Sequence, residues 1–200
     1  MRSAWVLTLA FLAGGTAAGS EGTDMFEDVL RADGPLPERA GEMKLYEALL
    51  GDWEMEVFDY ADDGTRRTSS GEWHFAWVLE GRAIQDVFIA PARASRRPGQ
   101  PPKGNRYGAT LRVYDPAAGV WHVTWINPVS GAHDTLVGRR RGDEIVQEGK
   151  DRNGSPIRWI FSEVTPTSFR WRGERSTDGG KTWRLEAEFF GRRAGATRSP

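Results

Sequence analysis

Beyond residue 52 the chain keeps one rhythm: short runs rich in aromatic and β-branched residues, each closed by a turn signal. The turns read ADDGT (61–65), LEGR (79–82), DPAAGV (115–120), NPVSGA (127–132), RRGDE (140–144), DRNGS (151–155), VTPTS (164–168) and STDGGKT (176–182). Glycine, Asn-Gly and Asp-Gly supply the positive φ angles that tight hairpins need. Ten strands lie between these turns, at 53–60, 70–79, 83–90, 107–115, 119–127, 133–140, 144–150, 156–164, 168–175 and 182–192. Sequential strands on short links pair antiparallel. A meander of this length leaves two open edges unless it closes on itself. The pattern therefore predicts an all-β fold: a single antiparallel up-and-down barrel of about ten strands, preceded by a short helix.

That helix is placed at 38–50, where Met43, Leu45, Tyr46, Leu49 and Leu50 fall near helical spacing before Gly51. Residues 1–18 read as a secretory signal peptide. Arg2 gives a weak positive end, Val6 to Ala13 an apolar run, and Thr16-Ala17-Ala18 a small-residue cleavage pattern. The expected product is secreted or periplasmic. No apolar stretch reaches the length of about 20 residues that a spanning helix needs, so no stable membrane insertion is expected. Residues 19–37 are acidic and read as a mobile leader with one helical turn at 25–31. The barrel domain is placed at 38–193 and a disordered tail at 194–200. The long link from Pro91 to Arg106 reads either as a disordered excursion or as a basic rim contact.

Composition removes several function classes. Lys and Arg total 27 against 28 Asp and Glu, a net charge of -1, which argues against a nucleic-acid partner. The absence of cysteine removes disulfides, thiolate zinc sites and cysteine nucleophiles. No phosphate loop, dinucleotide glycine run, nucleophile elbow or metalloprotease helix motif occurs. The sequence points to no metal and no cofactor.

Alternation sorts the strand residues by face. Trp73, Phe75, Trp77 and Leu79 share one phase; so do Trp121, Val123 and Trp125; Ile157, Trp159 and Phe161; Phe169 and Trp171; and Trp183, Leu185, Ala187 and Phe189. Apolar transfer at roughly 25 cal/mol per Å2 drives this phase inward. Gln85, Tyr107, Asn127, Asp134 and Glu163 are polar residues placed in phase with apolar neighbours. They either reach water at strand ends or converge on a ligand. The ligand reading makes Trp73, Trp77, Trp125, Trp159 and Trp171 cavity walls, with Gln85, Tyr107 and Asn127 orienting a small apolar molecule. Arg170, Arg172, Glu174, Arg184, Glu186 and Glu188 read as a solvated cross-strand ladder, or alternatively as an inward carboxylate site at Arg170 or Arg172.

The ordered motifs carry a resemblance. Gly51-Asp52-Trp53 after a short helix resembles the G-x-W signature of lipocalin-like (calycin) barrels. The fuller set is LLGDWEMEV at 49–57, WVLEGRAIQDVF at 77–88, VYDPAAGVWHVTWI at 113–126 and a DGG-x-x-W hairpin. It is similar to a bacterial domain-of-unknown-function family with lipocalin-like folds, over residues 45–193. The resemblance implies a barrel with a cavity and no settled activity. It also implies a structural role for Trp53, stacked by an arginine of the last strand, either Arg192 or Arg193. Haem-binding and fatty-acid-binding barrels are more distant in shape. Ser176 to Trp183 also resembles the Asp-box of sialidase-type propellers, but one copy cannot build a propeller. Asp178 and Trp183 are read as stabilising that hairpin.

Two other readings stay open. An isomerase, cyclase or hydrolase could use the same cavity with His122 or Asp134 as acid or base. Haem would need one inward imidazole from His74, His122 or His133. A filled barrel serving protein association is a third reading, and a homodimer stays open.

Overall fold

The computed structural model describes residues 25–97, 99 and 105–195. The predicted signal peptide lies outside them, as do residues 196–200. After helix α1 (Met25–Leu30) and the two-residue strand β1 (Arg31–Ala32), ten strands follow: β2 (Gly51–Tyr60), β3 (Arg66–Val78), β4 (Ala83–Ala90), β5 (Arg106–Asp115), β6 (Val120–Asn127), β7 (Ala132–Arg141), β8 (Glu144–Lys150), β9 (Pro156–Ser162), β10 (Ser168–Arg175) and β11 (Arg184–Arg193). Each pairs antiparallel with the next, and β11 returns to β2. The result is the closed all-β barrel that the turn spacing predicts, and the strand bounds agree closely.

The segment before β2 is not one regular helix. Helix α2 (Ala40–Met43) is flanked by 3-10 turns at Pro37–Arg39 and Glu47–Leu49. Met43, Tyr46 and Leu49 are its buried residues. Their spacing of three suits side chains that eclipse every third residue, as in a 3-10 turn. They plug one end of the barrel, with Trp53 beneath Leu49. The Trp53 indole N–H donates to the Leu49 carbonyl at 2.7 Å.

The leader predicted over 19–37 differs in its second half. Arg31 and Ala32 pair with Val78 and Trp77, and the Leu36 N–H donates to the Gly81 carbonyl at 2.9 Å. The cause is the length of β3, which runs past the end of its β2 ladder at Phe75 and offers a free backbone edge. Gly81 (φ 80) sits so close to this crossing that a Cβ would lie 2.3 Å from the Gly34 carbonyl oxygen. Leu79, assigned above to the inward phase, is in the turn at φ 53 and is mostly exposed.

Outside, β8 to β11 and β2 carry cross-strand ion pairs. Arg170 reaches Glu188, Arg172 reaches Glu144 at 2.8 Å, Arg158 reaches Glu174, and Arg192 reaches Glu54 at 3.2 Å. This is the ladder geometry, so Arg170 and Arg172 present no inward carboxylate site. The start of the 91–106 link is also docked. Arg93 forks onto Glu72 through Nε at 2.8 Å and Nη2 at 3.0 Å, while its backbone N–H donates to the same carboxylate. The Arg93 side-chain bonds hold the Glu72 carboxyl down to about 2. Residues 98 and 100–104 of that link lie outside the described residues.

Candidate functional site

The plugged end holds a buried polar network. Arg112 on β5 and Asp86 on β4 form an ion pair with both side chains at most 1% exposed. Thr110 donates to Asp86 at 3.1 Å, Arg112 Nε to Gln147 at 3.2 Å, and the Tyr46 hydroxyl to Gln147 at 3.3 Å. Burial pushes the Tyr46 phenol well above its usual range. The Arg112 guanidinium also faces the rings of Tyr46, Phe75 and Phe161. A buried charge is tolerated where a partner and hydrogen bonds surround it, and this network supplies both.

Above that network, toward the far end, an aromatic cavity of about 160 Å3 opens. Trp73, Trp125, Trp159, Trp171, Phe88 and Phe189 line it, with Thr110 and Arg112 below and Arg106 and Asn127 near the strand ends. Trp171 stacks on Phe189 at 4.4 Å, and Phe189 on Phe88 at 5.0 Å. The Arg106 guanidinium continues that pile, 5.3 Å from the Phe189 ring centre and 5.7 Å from that of Phe88. Its Nη2 donates to both oxygens of Asp59, at 2.8 and 2.7 Å. Inward glycines make room for the indoles. A Cβ on Gly108 would lie 1.8 Å from the Trp125 ring, and one on Gly173 2.6 Å from the Trp171 ring.

The structure brings five of the eight sequence-assigned lining residues together: Trp73, Trp125, Asn127, Trp159 and Trp171. Asn127 turns its Oδ1 away to the backbone N–H groups of Val129 and Ser130, at 3.0 and 3.3 Å. Trp77 is buried in the core but does not line the cavity; it sits where β3 meets β1. Gln85 and Tyr107 are corrections. Both point to the outer face, Gln85 beside exposed Val87 and Leu111, and Tyr107 beneath the Arg96 guanidinium at 4.7 Å. The alternation was sound but the phase of β4 and β5 is reversed. These strands carry apolar residues outward (Val87, Leu111, Val113) and polar ones inward (Asp86, Arg106, Thr110, Arg112). The sequence signal for this was Gly108, which shares a phase with Arg106, Thr110 and Arg112 and leaves the space that Trp125 fills.

The structural assignments resolve similarly. Arg193, not Arg192, lies over Trp53, 4.2 Å from the ring centre. It donates to the carbonyls of Leu50 at 2.8 Å, Ala48 at 3.2 Å and Pro166 at 2.6 Å. Arg192 has the opposite phase and faces solvent. Asp178 ties the 176–183 turn, accepting from the backbone N–H groups of Thr182 and Lys181 and from the hydroxyls of Thr182 and Ser176. These bonds hold its carboxyl at about 2. Trp183 precedes β11 rather than extending its inward phase, and the Arg158 guanidinium covers its ring at 4.2 Å.

The histidines lie away from the cavity. His74 contacts Asp52 at 2.7 Å and Glu72 at 3.1 Å on the outer face, His122 contacts Asp115 at 3.2 Å, and His133 is exposed. Asp134 does share the inward phase, opposite Trp125. Burial, then the nearby Asp151 charge, raises its carboxyl above the usual carboxylate range. Among the described residues no His, Asp and Glu cluster could hold a metal ion, and no helix is long and apolar enough to cross a membrane.

No protein-family model and no curated protein matches the chain. Solved structures do. One is Rv2717c from M. tuberculosis, with a TM-score of 0.54 at 15% identity over 77% of this chain and 98% of that one. Another is the S-type phycobiliprotein lyase CPES from Guillardia theta, with a TM-score of 0.51 at 11% identity over 82% of this chain and 100% of that one. Likeness at this identity concerns the path of the backbone. With the closed ten-stranded ring and its plugged end, it shows that the chain has a lipocalin-like barrel fold.

Proposed function

We propose that this chain is an exported lipocalin-like barrel that binds a small apolar or aromatic molecule in the cavity beneath Trp125 and Trp159. The cavity itself carries the reading. One half of the barrel is filled by buried side chains around Arg112 and Asp86, while the other keeps about 160 Å3 free between aromatic walls. An apolar void of about 150 Å3 accepts a molecule the size of benzene. A few polar groups at the edge of an aromatic pocket are the usual equipment for orienting such a guest. The export part of the proposal rests on the run from Val6 to Ala13 and the small residues that follow it. Titrating the intrinsic tryptophan fluorescence with a panel of aromatic acids, monocyclic aromatics and short lipids tests the binding. Saturable quenching or enhancement by ring-sized members is the expected result. A flat response across the panel overturns the reading.

A further inference from the structure

The cavity's polar groups are one-sided. Few acceptors line it: Oδ1 of Asn127 serves the turn that follows it, while the carboxylates of Asp59 and Asp86, paired with Arg106 and Arg112, are not part of the lining. Among the side chains that line the cavity, Thr110 Oγ alone keeps accepting capacity, low in the cavity. Donors are left over. Arg106 spends only Nη2, so its Nε–H and Nη1–H groups have no partner among the described residues. Asn127 spends only its oxygen, which leaves its NH2 group unmatched. The Trp73 indole N–H is buried without any partner. A guanidinium carries five N–H donors and an amide two, with no acceptor on the former. The Trp73 N–H is desolvated, so leaving it unmatched is unfavourable. The spare donors of Arg106, whose side chain is 29% exposed, and of Asn127 stand at the cavity's edge, where an acceptor atom on a guest can engage them.

Resting on the binding reading above, we infer that the cavity selects a single-ring aromatic molecule bearing an acceptor oxygen, a carbonyl or carboxylate, held by Arg106 and Asn127. The free volume limits the ring count, the indole and phenyl walls suit a flat face, and the leftover donors choose the substituent. Arg106 suits this role. Its guanidinium is already fixed by Asp59 and by the Phe88 and Phe189 rings, so little conformational freedom is lost on engagement.

The test compares four probes by calorimetry on the whole protein. Benzoate and acetophenone carry acceptor oxygens, toluene carries no polar group, and aniline carries an N–H donor. Benzoate or acetophenone should bind about tenfold tighter than toluene or aniline. The neutral double variant Asp59→Asn/Arg106→Met avoids leaving a lone carboxylate. It should lose that preference while still binding toluene. Asn127→Asp keeps the oxygen that caps the turn, removes the NH2 donor and should weaken benzoate selectively. Toluene, aniline and benzoate binding alike would overturn this inference and leave the ligand-binding reading standing. A parent-like preference in the folded double variant would overturn the assignment to Arg106. No binding by any probe overturns both inferences.

Discussion

Asp86 and Arg112, on adjacent strands and 26 residues apart in sequence, form an ion pair sealed inside the barrel. Its weight lies in what happens when one partner goes. The remaining Arg112 charge would be left buried against Phe75, Phe161 and Tyr46 without its carboxylate. Asp86→Ala should therefore cost about 3–5 kcal/mol. The paired replacement Asp86→Leu/Arg112→Met removes both charges and should return to within about 2 kcal/mol of the parent. Urea unfolding of the two variants checks this. Equal losses in both would mean that packing, not the orphaned charge, sets the cost.

Neighbouring arginines of β11 should behave differently. Arg193→Ala removes three hydrogen bonds to carbonyls and the cover over Trp53, a loss of about 2 kcal/mol. Arg192→Ala removes one exposed pair with Glu54 and should change stability by no more than about 0.5 kcal/mol. Thermal melts of both proteins under one buffer give the comparison.

Asp134 makes a pH-dependent prediction. Its carboxyl is raised in the folded protein, by burial first and then by Asp151. Between the unfolded and folded pKa values the native state holds more protons, so stability falls as pH rises through that window. The penalty is full above the folded value and absent below the unfolded one. Asp134→Asn should therefore stabilise the protein at pH 7 and lose that advantage at pH 3, read from denaturant midpoints. A gain that is the same at both pH values would show that titration of this carboxyl plays no part.

Strand positions were legible because turns and period-two alternation are local properties of a chain. Trp73, Trp125, Trp159 and Trp171 could be placed facing inward for the same reason: each shares its phase with aromatic or aliphatic residues, while His74, His122, Arg158 and Arg172 take the other. On β4 and β5 the rule fails, because both faces are mixed. Hydropathy sends Asp86 and Arg112 outward, and only the long-range match between them, with Thr110 and Gln147, makes the inward placement favourable. That match is a property of register, which the sequence states only indirectly. The same holds for Arg193 against Arg192, where a single residue of phase decides which side chain meets Trp53. The broken helix before β2 was legible as a buried stripe but not as 3-10 turns, since spacings of three and four share the same face over so short a stretch.

The pairing of β2 with β11 has a consequence for assembly order. The earliest staves of the ring must wait for the latest, because Trp53, already paired with β3, finds its second partner strand and its covering guanidinium only once residues 184–193 have been made. Contacts of such large sequence separation form slowly, and an unfinished chain leaves strand flanks bare meanwhile. Closure therefore waits for β11, with Arg193 among the last groups to lock.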